Sequence, residues 1–346
     1  LFSGSSGNSI YVGNSEAGIL VDAGRSARQL AQALGRCGIP IAAVKAVFVT
    51  HEHVDHVKGL RVFAERNRVP VYSSPGTLCT LEEKRLKLPP DTGIDIVLYA
   101  LPPALVVSRL YYVAFTWDIF RHDLLSILKI WEGGVAIYGA VIGGALGVYA
   151  LSRRKGVPFM TLADVVAPAL ILGQAIGRWG NYFNGEAYGW AVTNPALQFF
   201  PFAVRIGAGW HLATFFYESM WNLAGFAFLY LNRARFQRDG RFGHVFYWYL
   251  LWYGLGRLVI EGLRTDSLMW GTVRVSQLLS LLLCVFAALK MMLDLRLSRH
   301  WLLLPAAALA VPFVLPGWWG IGAAWLLIAV AAVLIYQKYP AKAAAA

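Results

Sequence analysis

The fold is decided by runs such as Leu162-Ala163-Asp164-Val165-Val166-Ala167-Pro168-Ala169-Leu170-Ile171-Leu172-Gly173-Gln174-Ala175-Ile176-Gly177-Arg178-Trp179-Gly180. This run comes close to the roughly 20 predominantly apolar residues that a helix needs to cross a bilayer. Comparable segments recur at about 95–116, 134–151, 212–231, 244–263 and 275–293, and an apolar pair follows at about 301–316 and 318–336. Of the 346 residues 58% are hydrophobic and 14% charged, whereas soluble domains hold about 45–50% and about 25%. A simple soluble protein is excluded. The 13 Trp, 16 Tyr and 19 Phe fit aromatic belts at membrane interfaces.

The net charge of +12 invites nucleic acid as a partner, but the basic residues sit in clusters between the apolar runs. Lys84-Arg85-Lys87, Arg153-Arg154-Lys155, Arg233 to Arg241, and Lys290-Arg296-Arg299 fall on one side if every segment crosses once. By the positive-inside rule that side is the cytoplasm, with both termini there, and no nucleic-acid partner is expected. The three cysteines, Cys37, Cys79 and Cys284, are too scattered for a disulfide framework. The first residue is Leu and no leader pattern follows it, so the chain reads as a fragment.

Residues 1–90 differ in character. Ser9–Val12 and Gly18–Val21 are short β-type runs, Arg25–Gly35 has helical spacing, and Val44–Val49 and Val69–Tyr72 read as further strands. The predicted fold is therefore mainly α: a polytopic helical membrane protein with a short N-terminal α/β segment. That segment holds only part of a sheet, buries little core, and leaves an edge open to aggregation.

Thr50-His51-Glu52-His53-Val54-Asp55-His56 leaves the end of the apolar run Ala46–Val49. His51, His53, Asp55 and His56 bring imidazoles and a carboxylate onto one loop, a donor set suited to zinc. A metal there would lower the pKa of its water and supply hydroxide for hydrolysis. With Ser3–Ser9 and Ile19–Gly24, the motif resembles the start of a metallo-β-lactamase-fold hydrolase over about residues 1–88. That resemblance implies further ligands, a His, a bridging Asp and a final His. The later histidines, His122, His211, His244 and His300, all lie in or beside membrane segments, so the metal set is expected to stay incomplete.

Ionisable residues within membrane segments cost roughly 2.5–3.5 kcal/mol each on insertion scales, so they usually face a cavity or a partner. Arg178 to Glu186 close one segment, and Arg257 and Glu261 stand at i, i+4 in another, where they can pair. Guanidinium groups bind phosphate bidentately, which makes an anionic lipid headgroup the natural ligand. The bland reading is an internal ion pair, helix-gluing asparagines, and glycines (Gly133, Gly134, Gly139, Gly143, Gly144) that serve close packing.

Gly173–Gly189 as a whole resembles the signature of the prolipoprotein diacylglyceryl transferases. Arg109–Val113, Trp131–Gly139, His211–Ser219, Tyr253–Arg257 and Ile260–Leu268 match in order, ahead of Ser276-Gln277. The resemblance spans about residues 93–295. It implies transfer of the diacylglyceryl group of phosphatidylglycerol to the lipobox cysteine of a prolipoprotein in the bacterial inner membrane, with no cofactor. A thioether forms and glycerol phosphate leaves. Arg178 and Arg257 are then expected at the phosphate, with Arg109, Asn181, Asn184, Gly185, Glu186, Tyr217 and Glu218 shaping the substrate site. Glu261 and Arg264 are expected to position the arginines. Tyr138 or His211 is expected to take the thiol proton.

The family normally begins with one more membrane helix, whose place the hydrolase-like segment takes. The expected domains are 1–90, 93–295, and an apolar hairpin and tail at 300–346 with no inferable role. Two other readings stay open: a nonproductive chimera, and a zinc-binding segment on a membrane anchor or a cavity that binds lipid without chemistry. Only the enzyme yields a cysteine-linked diacylglyceryl group.

Overall fold

The computed structural model describes residues 1–86, 88–270, 273–315 and 317–339. Lys87 of the first basic cluster, the last residue of the 301–316 segment, and tail residues 340–346 lie outside them. The chain divides into two compact units, Leu1–Val157 and the part from Pro158 onward.

The first unit opens with β1 (Ile10–Gly13), β2 (Gly18–Val21), α1 (Ala27–Arg36), β3 (Val44–Phe48), α2 (Val54–Val57), α3 (Leu60–Asn67) and β4 (Val71–Tyr72). The strands lie in the order β1-β2-β3-β4, with β1 antiparallel to β2 and the other pairs parallel. A capping box starts α1: the Ser26 hydroxyl accepts from the Gln29 N–H, and the Gln29 side chain accepts from the Ser26 N–H. Leu30 and Leu34 of α1 and Phe63 of α3 bury one face of the sheet against Leu20 and Val47. On the other face Ile10, Val21, Phe48 and Tyr72 form one cross-strand row, and Ile10, Phe48 and Tyr72 are exposed. The predicted strands and first helix are present within a residue or two; α3 was not foreseen.

After α4 (Pro75–Leu86) come α5 (Thr92–Phe115), the short α6 (Trp117–Phe120) and α7 (Ile137–Lys155). Gly139, Gly143 and Gly147 lay α7 directly on the α5 backbone. A Cβ at these positions would come within 2.5 Å of Val107 O, 2.2 Å of Pro103 O and 2.0 Å of Tyr99 O. This is small-residue helix packing of the kind used inside membranes.

The second unit comprises α8 (Phe159–Asn184), a hairpin of β5 (Ala203–Ile206) and β6 (Gly209–Leu212), α9 (Thr214–Phe236) and α10 (His244–Leu263). A second hairpin of β7 (Met269–Trp270) and β8 (Val273–Arg274) leads into α11 (Val275–Asp294), and α12 (Leu303–Val314) and α13 (Trp318–Lys338) follow. One apolar core joins Ile171, Leu229, Leu251, Leu258, Cys284, Ala288, Ala308 and Ile328 from all six helices.

Among the described residues four helices, α5, α8, α11 and α13, are long and apolar enough to cross a membrane. The chain is a helical membrane protein with a small α/β segment at its N-terminus. Helices α7, α9 and α10 stand where crossings were predicted, but each carries more polar content. Arg153, Arg154 and Lys155 end α7; α9 carries Glu218, Asn222, Arg233 and Arg235; α10 carries Arg257 and Glu261 among its tyrosines and glycines.

Candidate functional site

The end of α8 presents Arg178, Asn181 and Asn184 on successive turns. The helix stops at Gly185, whose φ of 64° is left-handed and whose N–H donates to Tyr182 O at 3.2 Å. Glycine takes that conformation without a Cβ penalty. The turn brings Glu186 back, so that Asn181 Nδ2 and Asn184 Nδ2 donate to Glu186 Oε1 at 3.0 and 3.2 Å. Asn181 Oδ1 in turn accepts from Arg178 Nη1 at 3.3 Å.

From Arg178 the network continues into α9 and α10. Glu218 bridges two arginines, with Oε1 3.1 Å from Arg178 Nη2 and Oε2 accepting from Arg257 Nη1 at 3.0 Å. The i, i+4 pair foreseen between Arg257 and Glu261 forms directly. Tyr253, one turn before Arg257, lies beside Arg178, Arg257 and Glu218. The result is one polar chain: Glu186, Asn181, Arg178, Glu218, Arg257, Glu261. Its ends differ in exposure. Glu218 and Glu261 are 3% and 2% exposed and Arg257 8%, whereas the Arg178 side chain is 21% exposed. Arg257 is committed to two carboxylates, and Arg178 is the guanidinium that a bound anion could reach.

The register between α9 and α10 has its own fastening, not signalled by any motif. Trp221 Nε1 donates to Trp252 O at 2.8 Å and Trp252 Nε1 donates to Trp221 O at 2.9 Å. Each indole covers a glycine of the opposite helix: a Cβ on Gly256 would lie 2.4 Å from Trp221, and one on Gly225 would lie 2.5 Å from Trp252. This double clasp sits one turn from Glu218 and fixes it opposite Arg257.

His211, on β6, has Nδ1 3.1 Å from Gly189 O. A carbonyl can only accept, so Nδ1 is the donor in this bond. The Tyr217 phenol donates to Phe202 O. Arg264 does not reach the other arginines. It is tied to Asp266 by two bonds of 2.9 Å, Nε to Oδ1 and Nη2 to Oδ2, and this hydrogen bonding holds the Asp266 carboxyl below its usual range. Bracing falls instead to Arg274, whose Nη1 donates to Glu261 O at 2.7 Å, Arg264 O at 3.0 Å and Ser267 Oγ at 2.6 Å. Only its position just before Ser276-Gln277 hinted at this.

In the first unit Arg109 is buried, and its donors go to backbone carbonyls rather than outward. Nε donates to Ile127 O at 2.8 Å, Nη1 to Gly133 O and Gly134 O at 2.7 and 2.8 Å, and Nη2 to Ser126 O at 2.7 Å. The guanidinium also lies over Phe120, 4.9 Å from the ring centre. Arg109 is thus an organiser of the 126–134 loop. Tyr138 stands at the start of α7, partly exposed, its ring 6.4 Å from that of Tyr111.

In the histidine loop the side chains are paired off with neighbours. His56 Nδ1 lies 2.7 Å from Asp22 Oδ2, Thr50 Oγ1 is 3.0 Å from His51 Nδ1, and Asn8 Nδ2 donates to Asp55 Oδ2 at 3.1 Å. The His51 ring lies 4.7 Å from His53 and 3.9 Å from His56. Among the described residues no group of three or more His, Cys, Asp or Glu is arranged to hold a metal ion. As arranged, these residues do not fit zinc.

Comparison with known proteins bears on both parts. Residues 77–293 match the family described as prolipoprotein diacylglyceryl transferase, and residues 18–97 match the beta-lactamase superfamily domain. A phosphatidylglycerol--prolipoprotein diacylglyceryl transferase of Listeria monocytogenes serotype 4b is 45% identical over 217 residues, covering 61% of this chain and 77% of that protein. The protein of the same name from Streptococcus pneumoniae strain JJA is 46% identical over 206 residues, 58% of this chain and 78% of its own length. That from Ligilactobacillus salivarius is 43% identical over 216 residues, 61% and 80%.

Proposed function

The chain belongs to the prolipoprotein diacylglyceryl transferase family, and we propose that the Arg178–Glu218–Arg257 network is where it carries out that family's reaction. It is a transferase of lipoprotein maturation, moving the diacylglyceryl group of phosphatidylglycerol to the lipobox cysteine of a prolipoprotein. The cysteine thiolate attacks the glyceryl carbon that bears the phosphate ester, a C–S bond forms, and the C–O bond to phosphate breaks. Glycerol phosphate leaves with the electron pair, and the thiol proton goes to a base. A thiolate is the competent nucleophile, and the leaving phosphate needs fixed positive charge as that bond breaks.

The observation that carries this reading is the half-buried Arg178 held on a buried carboxylate that Arg257 also grips. In our reading Arg178 touches the phosphate and Arg257 holds Glu218 behind it, so neither guanidinium has to reorganise during the reaction. Asn181, Asn184 and Glu186 shape the headgroup end. Of the two candidate bases we favour His211, because the hydrogen bond from Nδ1 leaves Nε2 of a neutral ring to accept a proton. Tyr138 is the alternative. The transfer requires no cofactor, and the basic clusters keep both termini on the cytoplasmic side of a bacterial inner membrane.

The test is a transfer reaction with the full chain in phosphatidylglycerol micelles, following a lipobox peptide by mass. A diacylglyceryl gain on the cysteine peptide and none on its serine counterpart is the expected result. Unchanged peptide beside intact phosphatidylglycerol would refute the assignment.

A further inference from the structure

Beyond residue 293, where the family match ends, the chain builds the α12–α13 hairpin, and it is fastened to α10 at three levels. At the start of α10, His244 Nδ1 bonds the Tyr339 hydroxyl, and Arg235 Nη2 of α9 donates to Tyr339 O at 2.8 Å. In the middle, Trp325 Nε1 donates to Leu255 O at 3.2 Å. Leu255 stands two residues before Arg257, about 200° around the helix, so this attachment leaves the arginine face clear.

The third level is at the site itself. The Trp318 indole lies on the backbone of Gly262, next to Glu261; a Cβ there would come within 2.3 Å of Trp318 Cη2. The same indole meets Trp190 edge-on, with ring centres 5.9 Å apart at 89°. Trp190 is stitched to two site-bearing segments: its N–H donates to Leu263 O at 3.1 Å, and its carbonyl accepts from Leu212 N–H at 2.9 Å, next to His211. It follows by four residues the Glu186 that closes the polar chain. Trp318 therefore bears on the point where the end of α10, the 185–190 loop and β6 meet.

We propose that the hairpin is a positioning element of the transfer site, with Trp318 as its working contact. It holds the Glu261 end of α10 against Trp190 and so sets the spacing between Glu261 and the Glu186 loop. Small displacements of reacting groups are costly: about 1 Å is worth on the order of a hundredfold in rate. Gly262 has a matching role, because only a residue without a side chain lets the indole lie flat there. The proposal rests on the transferase reading of the arginine network, and its test separates the two.

Trp318→Ala, Trp318→Phe and Trp318→Leu are made in the full chain, and turnover is measured alongside hydrogen exchange. Trp318→Ala should lower kcat about tenfold while KM for phosphatidylglycerol stays within about twofold. Amides of 187–190 and 258–263 should exchange faster in that variant, and Trp318→Phe should recover most of both properties. Parent-like kcat and exchange in folded Trp318→Ala would overturn the proposal. Should Trp318→Ala fail to fold, Trp318→Leu decides in its place, since it keeps apolar bulk and removes the indole from Gly262 and Trp190: parent-like kcat and exchange at 258–263 would overturn the proposal. Absence of transfer by the parent would sink the transferase reading alone, because the exchange comparison still decides the hairpin.

Discussion

The histidine loop after β3 and the arginine network of α8–α10 are both clusters of ionisable side chains, yet they are supported differently. In the loop His56 is taken up by Asp22, His51 by Thr50 and Asp55 by Asn8. Among the described residues helices cover one face of the sheet beneath it, and Ile10, Phe48 and Tyr72 are exposed on the other. Parallel sheets are ordinarily covered on both faces. In the network the groups form one continuous chain, and the helices that carry them are locked by the Trp221–Trp252 clasp, by Arg274, and by a core shared among six helices. The right residue types at the right spacing occur in both regions. A supporting shell that aims them at a common point occurs in one.

The largest effect that follows is on Glu218. Glu218→Gln keeps the shape and removes the charge that both arginines share, and breaking a buried ion pair costs about 3–5 kcal/mol. A large fall in melting temperature together with loss of transfer is expected; a parent-like melt would mean that the bridge carries no weight. Arg109→Ala should come next, at roughly 2 kcal/mol, because it strips a charged donor from several loop carbonyls at once. Its signature is faster proteolysis or exchange at 126–134, and a phosphatidylglycerol affinity defect without loop opening would return Arg109 to the substrate site.

The Arg264–Asp266 pair should matter less, since Asp266 is about half exposed and such pairs contribute at most about 1 kcal/mol. Its carboxyl is depressed, so the contribution is present above the ordinary carboxylate range and is lost as pH falls through the lowered value. Asp266→Asn should therefore lower stability slightly at neutral pH and make no difference in strong acid. Smallest of all is the loop: His51→Ala or His53→Ala should leave transfer within about twofold, and a chelator should do the same. Stoichiometric zinc that disappears in these variants would show that the loop does assemble a metal site.

The long apolar helices were legible because a run of membrane-spanning length is a local property, as at 162–180 and 275–293. So were β1–β4, since β-type runs between turn residues are local too, and the Arg257–Glu261 pair, fixed by helical periodicity alone. The partners of Arg109 and Arg264 were not legible. A guanidinium binds carbonyls, carboxylates or phosphate with the same geometry, and only the folded chain decides which lies in reach. Glu218 as a bridge, the reciprocal tryptophan clasp and the seat of Trp318 on Gly262 join residues that are 31 to 56 positions apart in sequence. No periodicity records such contacts.

The most direct measurement is transfer from phosphatidylglycerol to a lipobox peptide by Arg178→Ala beside the parent, with the folded fraction of each matched by its melt. A diacylglyceryl gain is expected with the parent, and a rate about a hundredfold or more lower with the variant. A variant that transfers at the parent rate would contradict the placement of the phosphate at Arg178.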